Sequence, residues 1–148
     1  MSTYRYTESG LDNVAIRGVR FPTDDAGEEC IIIQNINGLH KAIAHVIVTR
    51  RSSMNGKELR FLRTELGMTQ AELASMLHRE PLAVSRWERA ESPIDANAET
   101  IVRLHAIQAL KLPDSPEVKE VAGWCIQSAE TPPIVIDGSD PSNYKIAA

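Results

Sequence analysis

The residues from Asn55 to Arg89 constrain the fold more than any other part of this 148-residue chain, because three apolar stripes recur there at helical spacing. Leu59, Leu62 and Leu66 repeat at three- and four-residue steps, the pattern of a helix burying one face. Gly67 stands where a left-handed C-terminal cap falls. Thr69 and Glu72 have the spacing of a capping box, which opens a second helix that buries Leu73, Ala74 and Leu77. A break at His78-Arg-Glu follows, and Pro81 suits the first turn of a third helix. In that helix Val84 and Trp87 face inward, and Leu82, Ala83, Ser85, Arg86 and Arg89 face outward. Two short helices joined by a tight break form a helix-turn-helix, whose second helix projects from its support.

Such a pair has a known partner in the major groove of double-stranded DNA, and the charge distribution bears on that reading. The whole chain carries −4. Residues 50–112 hold ten Lys and Arg against eight Asp and Glu, a net +2, and the remainder holds six against twelve, a net −6. The positive charge therefore gathers around the helical pair, where contact-face charge matters more than the total. A +2 segment predicts weak non-specific binding and useful affinity only at a matched dimer site.

At Leu66-Gly-Met-Thr-Gln-Ala-Glu-Leu-Ala and Val84-Ser-Arg-Trp-Glu-Arg the chain resembles the Xre/Cro-repressor family of DNA-binding domains, over roughly residues 55–110. The resemblance implies that Gln70 opens the second helix and holds the DNA backbone. It implies that bases are read from Pro81, Leu82 and Arg86, and that Arg63 pairs with Glu88 to lock the first helix to the third. Two positions depart from the family pattern. His78 replaces the usual glycine between the paired helices. Glu80 stands where Ser or Thr usually starts the recognition helix, and we expect its carboxylate to cap that helix.

A narrower resemblance lies in Tyr6-Thr-Glu-Ser-Gly-Leu-Asp-Asn-Val and Gly38-Leu-His-Lys-Ala-Ile-Ala, which are similar to MqsA-type antitoxins. Those proteins place a small zinc domain before an Xre-type domain and hold the metal with two Cys-x-x-Cys pairs. This chain has neither pair. Its only cysteines are Cys30 and Cys125, too few for a four-coordinate structural site. The resemblance implies a similar N-terminal fold without metal, closed by packing.

Outside the helical pair the reading is coarser. Val14-Ala-Ile-Arg-Gly-Val-Arg-Phe and Glu29-Cys-Ile-Ile-Ile-Gln read as an antiparallel hairpin around the polar turn Asp24-Asp-Ala-Gly-Glu. A helix follows from Asn37 to Val48, with Leu39, Ile43, Val46 and Ile47 on one face. Residues 96–111 make another, with Ile101, Leu104, Ile107 and Leu110 inward. A last helix runs from Pro116 to Ala129, capped by Ser115, with Val118, Val121, Ala122 and Cys125 on its apolar side and Trp124 suited to a dimer interface. Ile134-Val-Ile is suited to an edge strand or to a partner.

The histidines carry no metal reading. His40 and His45 are five apart and fall on different faces of a helix, whereas helical zinc pairs prefer four. His78 sits in the turn and His105 on a later helix. There is no Gly-rich phosphate loop, nucleophile elbow or paired-carboxylate motif, so no enzyme, metal or cofactor is expected. No apolar h-region opens the chain and no stretch approaches the ~20 apolar residues of a membrane span, which predicts a cytoplasmic protein.

The expectation is a mostly α protein: a five-helix Xre-type helix-turn-helix domain over 53–130, a small α+β segment over 1–52 for dimerisation or a partner, and a polar C-terminal tail over 131–148. The expected function is sequence-specific binding of double-stranded DNA by a homodimeric repressor. DNA contacts are expected from Thr69, Gln70, Arg79, Pro81, Leu82, Ala83, Ser85, Arg86 and Arg89. Arg86 suits a bidentate guanine contact, against a surface ion pair with Glu91. Leu82 and Ala83 suit thymine methyls, against Leu82 packing on its own protein. The alternative function is an antitoxin or adaptor that binds a protein partner such as a toxin, with the helix-turn-helix kept for autoregulation.

Overall fold

A computed structural model describes residues 2–19, 33–113, 116–125 and 132–147. The described residues are mostly helical, with six α-helices and one four-stranded sheet. The chain opens with β1 (Ser2–Arg5), a 3-10 turn (Thr7–Ser9) and β2 (Val14–Val19). Then come α1 (Ile36–Thr49), α2 (Gly56–Glu65), α3 (Gln70–Leu77), α4 (Pro81–Glu88), α5 (Ala96–Ala109) and α6 (Val118–Trp124). Two strands close it, β3 (Ile134–Asp137) and β4 (Lys145–Ile146).

The sheet is built from both ends of the chain, in the order β1-β2-β3-β4. β2 pairs antiparallel with β1 and parallel with β3, with Val14 opposite Ile134 and Arg17 opposite Asp137. Ile134-Val-Ile is thus an interior strand and not an edge, and its alternation buries Ile134 and Ile136 against α1. The hairpin expected between residues 14–21 and 29–34 falls largely outside the described residues. Along Ala15–Arg17 both edges of β2 are already taken, by β1 and β3. Buried side chains of the sheet (Val14, Ile16, Ile134) and of the helices (Leu39, Leu62, Trp87, Val102) form one continuous core.

Several local expectations hold in detail. Gly67 is left-handed, with φ +69°. The Thr69 side chain accepts from the Glu72 amide, and the Glu72 carboxylate accepts from the Thr69 amide. Leu73, Ala74, Leu77, Val84 and Trp87 are buried, and Pro81 occupies the first turn of α4. His78, in the place of a glycine, adopts the left-handed conformation with φ 55°. Its amide closes onto α3 carbonyls, so the turn keeps its shape without the glycine. On α1, Leu39, Ile43 and Ile47 are buried as expected, Ala44 and Val48 join them, and Val46 is half-buried.

α5 turns a different face inward from the one its aliphatic residues indicate. Ala98, Glu99, Val102, Arg103, Ala106 and Ile107 are buried, Leu104 and Leu110 are half-buried, and Ile101 is 44% exposed. The cause is polar. The Arg103 guanidinium donates to the carbonyls of Val48, Arg50 and Ser52, and Glu99 accepts from the Ser53 hydroxyl and the Met54 amide. The turn between α1 and α2 would otherwise bury backbone groups without partners, and these two side chains satisfy them. α6 is shorter than expected: Val121 and Cys125 are buried, but Val118 and Ala122 are exposed, and Trp124 is half-buried. Ser115 and residues 126–129 lie outside the described residues.

Candidate nucleic-acid interface

α3 and α4 pack against each other and α4 packs against α2, so the position of α4 is fixed from two sides. Its orientation is further locked by one acid. Glu88, 4% exposed at its side chain, accepts from Arg63 Nε at 2.6 Å and Arg63 Nη2 at 3.0 Å. The Arg63 guanidinium also donates to the Met68 carbonyl at 2.9 Å, so one side chain joins α2, the α2–α3 turn and α4. Its bond to Glu88 holds the guanidinium pKa above the ordinary arginine value. Glu72 is held in the Thr69 capping box.

Gly56 was missed in the sequence and is the tightest contact of this unit. A Cβ there would lie 2.4 Å from the Trp87 carbonyl oxygen and 2.6 Å from that of Glu88. The first turn of α2 therefore abuts the last carbonyls of α4, and only glycine fits. Position 56 is not marked by an unusual φ or by any local pattern, so the signal is purely tertiary.

With Val84 and Trp87 buried, the opposite side of α4 is left to Leu82, Ser85, Arg86 and Arg89. Their spacing of three, four and seven places them on one stripe. Leu82 is 52% exposed, so it does not pack on its own protein. Arg86 is exposed and makes no ion pair among the described residues. Glu91, the partner weighed for it, pairs with Arg89 at 3.0 Å. Arg89 Nε also donates to the Ser85 carbonyl, which folds that arginine back along the helix. Ser85 is half-buried, and Ala83 is half-buried and packs against the core, so Ala83 departs from its expected outward position.

The remaining expected contacts fall around this stripe. Thr69 is exposed at the N-cap of α3, where its hydroxyl accepts from one amide and retains a proton to donate. Gln70 is half-buried, and its Nε2 donates to Glu88 at 3.1 Å, so the same acid that holds Arg63 also orients Gln70. Arg79 is exposed but placed: its guanidinium carbon stands 5.0 Å from the centroid of the Trp87 ring, and it is 3.8 Å from Asp95. That is a cation–π arrangement over a core tryptophan. Pro81 is exposed. Glu80 makes no side-chain cap hydrogen bond, contrary to expectation. Proline removes the N–H of the first helical residue, and the Ala83 amide bonds to the Glu80 carbonyl, leaving the carboxylate in solvent.

Compared with models of known families, with curated proteins and with solved structures, the chain matches none. The reading of the site therefore rests on its geometry. Among the described residues no three His, Cys, Asp or Glu side chains converge as a metal site would require, and no helix is long and apolar enough to cross a membrane. His40 is occupied structurally: Nε2 lies 2.8 Å from the Tyr6 hydroxyl and Nδ1 2.6 Å from Glu65. That chain ties the β1–β2 turn to α2. Burial of Tyr6 raises its phenol pKa. Burial likewise raises the Cys125 thiol, an inert environment for a cysteine.

Proposed function

We propose that α3 and α4 form a helix-turn-helix of the Xre type and that the protein is a sequence-specific regulator of transcription, binding double-stranded DNA as a homodimer and repressing. One observation carries this reading: the stripe of Leu82, Ser85, Arg86 and Arg89 on a short helix held from behind by the Arg63–Glu88–Gln70 network. An α-helix with its side chains is roughly 10–12 Å across, which fits a major groove about 12 Å wide. Arg86, with no ion pair to break among the described residues, is the residue most free to make a bidentate contact with guanine. Leu82 offers an apolar surface to a thymine methyl. Thr69 and Gln70, at the first turn of α3, supply contacts to the phosphate backbone. Two copies would address half-sites about one helical turn apart.

The test is a titration of the purified chain against its own upstream DNA and against random duplex, at two salt concentrations, with Arg86→Ala in parallel. The expected result is preference for the upstream sequence and a loss of roughly 1–3 kcal/mol in the variant. Equal binding of both duplexes by the wild type would contradict the proposal.

A second reading, an adaptor or antitoxin that binds a protein partner, draws on the exposed Ile101 and Val118. They border an open cleft with Met76 and Leu104. A stable complex with a protein partner, formed without DNA and lost in Ile101→Asp, would support that reading over the first.

A further inference from the structure

The five lysines of this acidic chain are unevenly placed. Lys41, Lys111 and Lys145, three of the five, line a single open cavity of about 490 Å³ together with His45, and no Asp or Glu among the described residues lines it. They come from three separate parts of the fold. Lys41 lies on α1, Lys111 follows α5 in the left-handed conformation with φ 54°, and Lys145 lies on β4. All three are exposed, and none makes an ion pair within 4 Å among the described residues. The field of Lys145 reaches Asp137, opposite it in the sheet, and Asp140. Those two carboxylates accept from the Ser139 and Ser142 amides, and neither residue lines the cavity.

The rest of the lining is largely apolar. Leu112 is buried, and Ala42, Pro113 and Ile146 complete the floor. The Tyr144 ring stands at one side, fixed because its hydroxyl donates to the Gln34 carbonyl at 2.5 Å. A pocket of a few hundred Å³ with an apolar lining and a few convergent charges is the ordinary form of a small-molecule site. Like charges lining one cavity repel one another, and an anion placed among them offsets that cost.

We propose that this cavity binds a small amphiphilic anion, a carboxylate or sulfonate head on an apolar body. The head lies among Lys41, Lys111 and Lys145, and the body lies on Leu112, Ile146 and the Tyr144 ring. The cavity is built on α1, β4 and the end of α5. It shares no residue with the α4 stripe, so this site stands or falls separately from the DNA reading.

The test is a fluorescence titration of the full chain with 8-anilinonaphthalene-1-sulfonate, followed by competition. Octanoate is expected to displace the dye, and octanol and inorganic phosphate each to need about tenfold more. Lys41→Ala combined with Lys145→Ala removes two exposed side chains. It should leave the unfolding midpoint unchanged while weakening dye and octanoate by about tenfold. Equal displacement by octanol, or unchanged binding by the double variant, would overturn the proposal by showing an apolar surface indifferent to charge. Displacement by phosphate alone would overturn the role of the apolar floor. If duplex DNA displaces the dye and the double variant weakens DNA binding, the lysines belong to a phosphate-contacting surface and the proposal fails.

Discussion

The arginines of two regions are used in opposite ways. Where α1, α2 and α5 meet, charge is turned inward and paired, with Arg50 Nε the one guanidinium nitrogen of the two buried pairs that has no hydrogen-bond partner among the described residues. Arg103 is 0% exposed and joins Glu99 and three carbonyls, and Arg50 joins Glu58, also 0% exposed, which in turn caps the first turn of α2. Asn13 reaches Glu58 from the loop before β2, so the N-terminal sheet is tied into the same junction. On α4, Arg86 is left in solvent with no such partner among the described residues. Buried charge that lacks a partner is costly, so the junction can exist only as a complete set. Exposed charge costs little, and its presence on a rigid face is a resource for binding.

That contrast can be broken at its strongest point first. Arg103→Met leaves Glu99 buried without its partner and the carbonyls of Val48, Arg50 and Ser52 without their donor, and should cost about 3–5 kcal/mol in urea unfolding. Adding Glu99→Leu should restore part of the loss, because two apolar groups replace a broken pair. A cost below about 1 kcal/mol for the single change would mean that the junction is not what holds α5 in place.

Gly56→Ala is expected to come next. Its new methyl meets the Trp87 and Glu88 carbonyls, and backbone cannot yield as a flexible side chain does, so about 1–3 kcal/mol should be lost. The same change should displace α4 and thereby lower DNA affinity, although residue 56 itself is not on the stripe. Arg86→Ala should do the reverse: its stability should stay within about 0.5 kcal/mol of wild type while DNA binding falls.

The smallest effect is expected at Asp12 and Lys57, an exposed pair at 2.9 Å between the β1–β2 connection and α2. The hydrogen bond from Lys57 holds the Asp12 carboxyl below its ordinary pKa. Its contribution is therefore complete above the unfolded carboxylate value of about 3.9 and is lost as pH falls through the lower folded value. Asp12→Asn should cost about 0.5 kcal/mol or less at neutral pH, and the difference from wild type should vanish in acid.

The same division explains what could be read from the chain. The α2–α4 unit was legible because its signals are local: a capping box within four residues, a proline at a first turn, leucines at helical steps. The Arg63–Glu88 pair was legible only through resemblance. The face of α5 was misread because Ile101 and Leu104 look like core residues, and nothing local says that Arg103 is needed by carbonyls around fifty positions away. The partner of β2 was illegible for the same reason. A strand's alternation tells which side chains are buried, but not that Val14 will pair with Ile134 across the length of the chain. The expected cap at Glu80 failed because composition at a helix start does not determine whether a flexible carboxylate folds back.

DNA binding through α4 is tested by a map of backbone amide shifts in the full chain on adding a random DNA duplex at low salt, where phosphate contacts dominate. The perturbed amides are expected to cluster at Thr69, Gln70 and the segment from Arg79 to Arg89. The amides of β1 to β4 and of the Arg103 junction should stay in place. Perturbation centred on the sheet or on the lysine-lined cavity, with α4 silent, would contradict it.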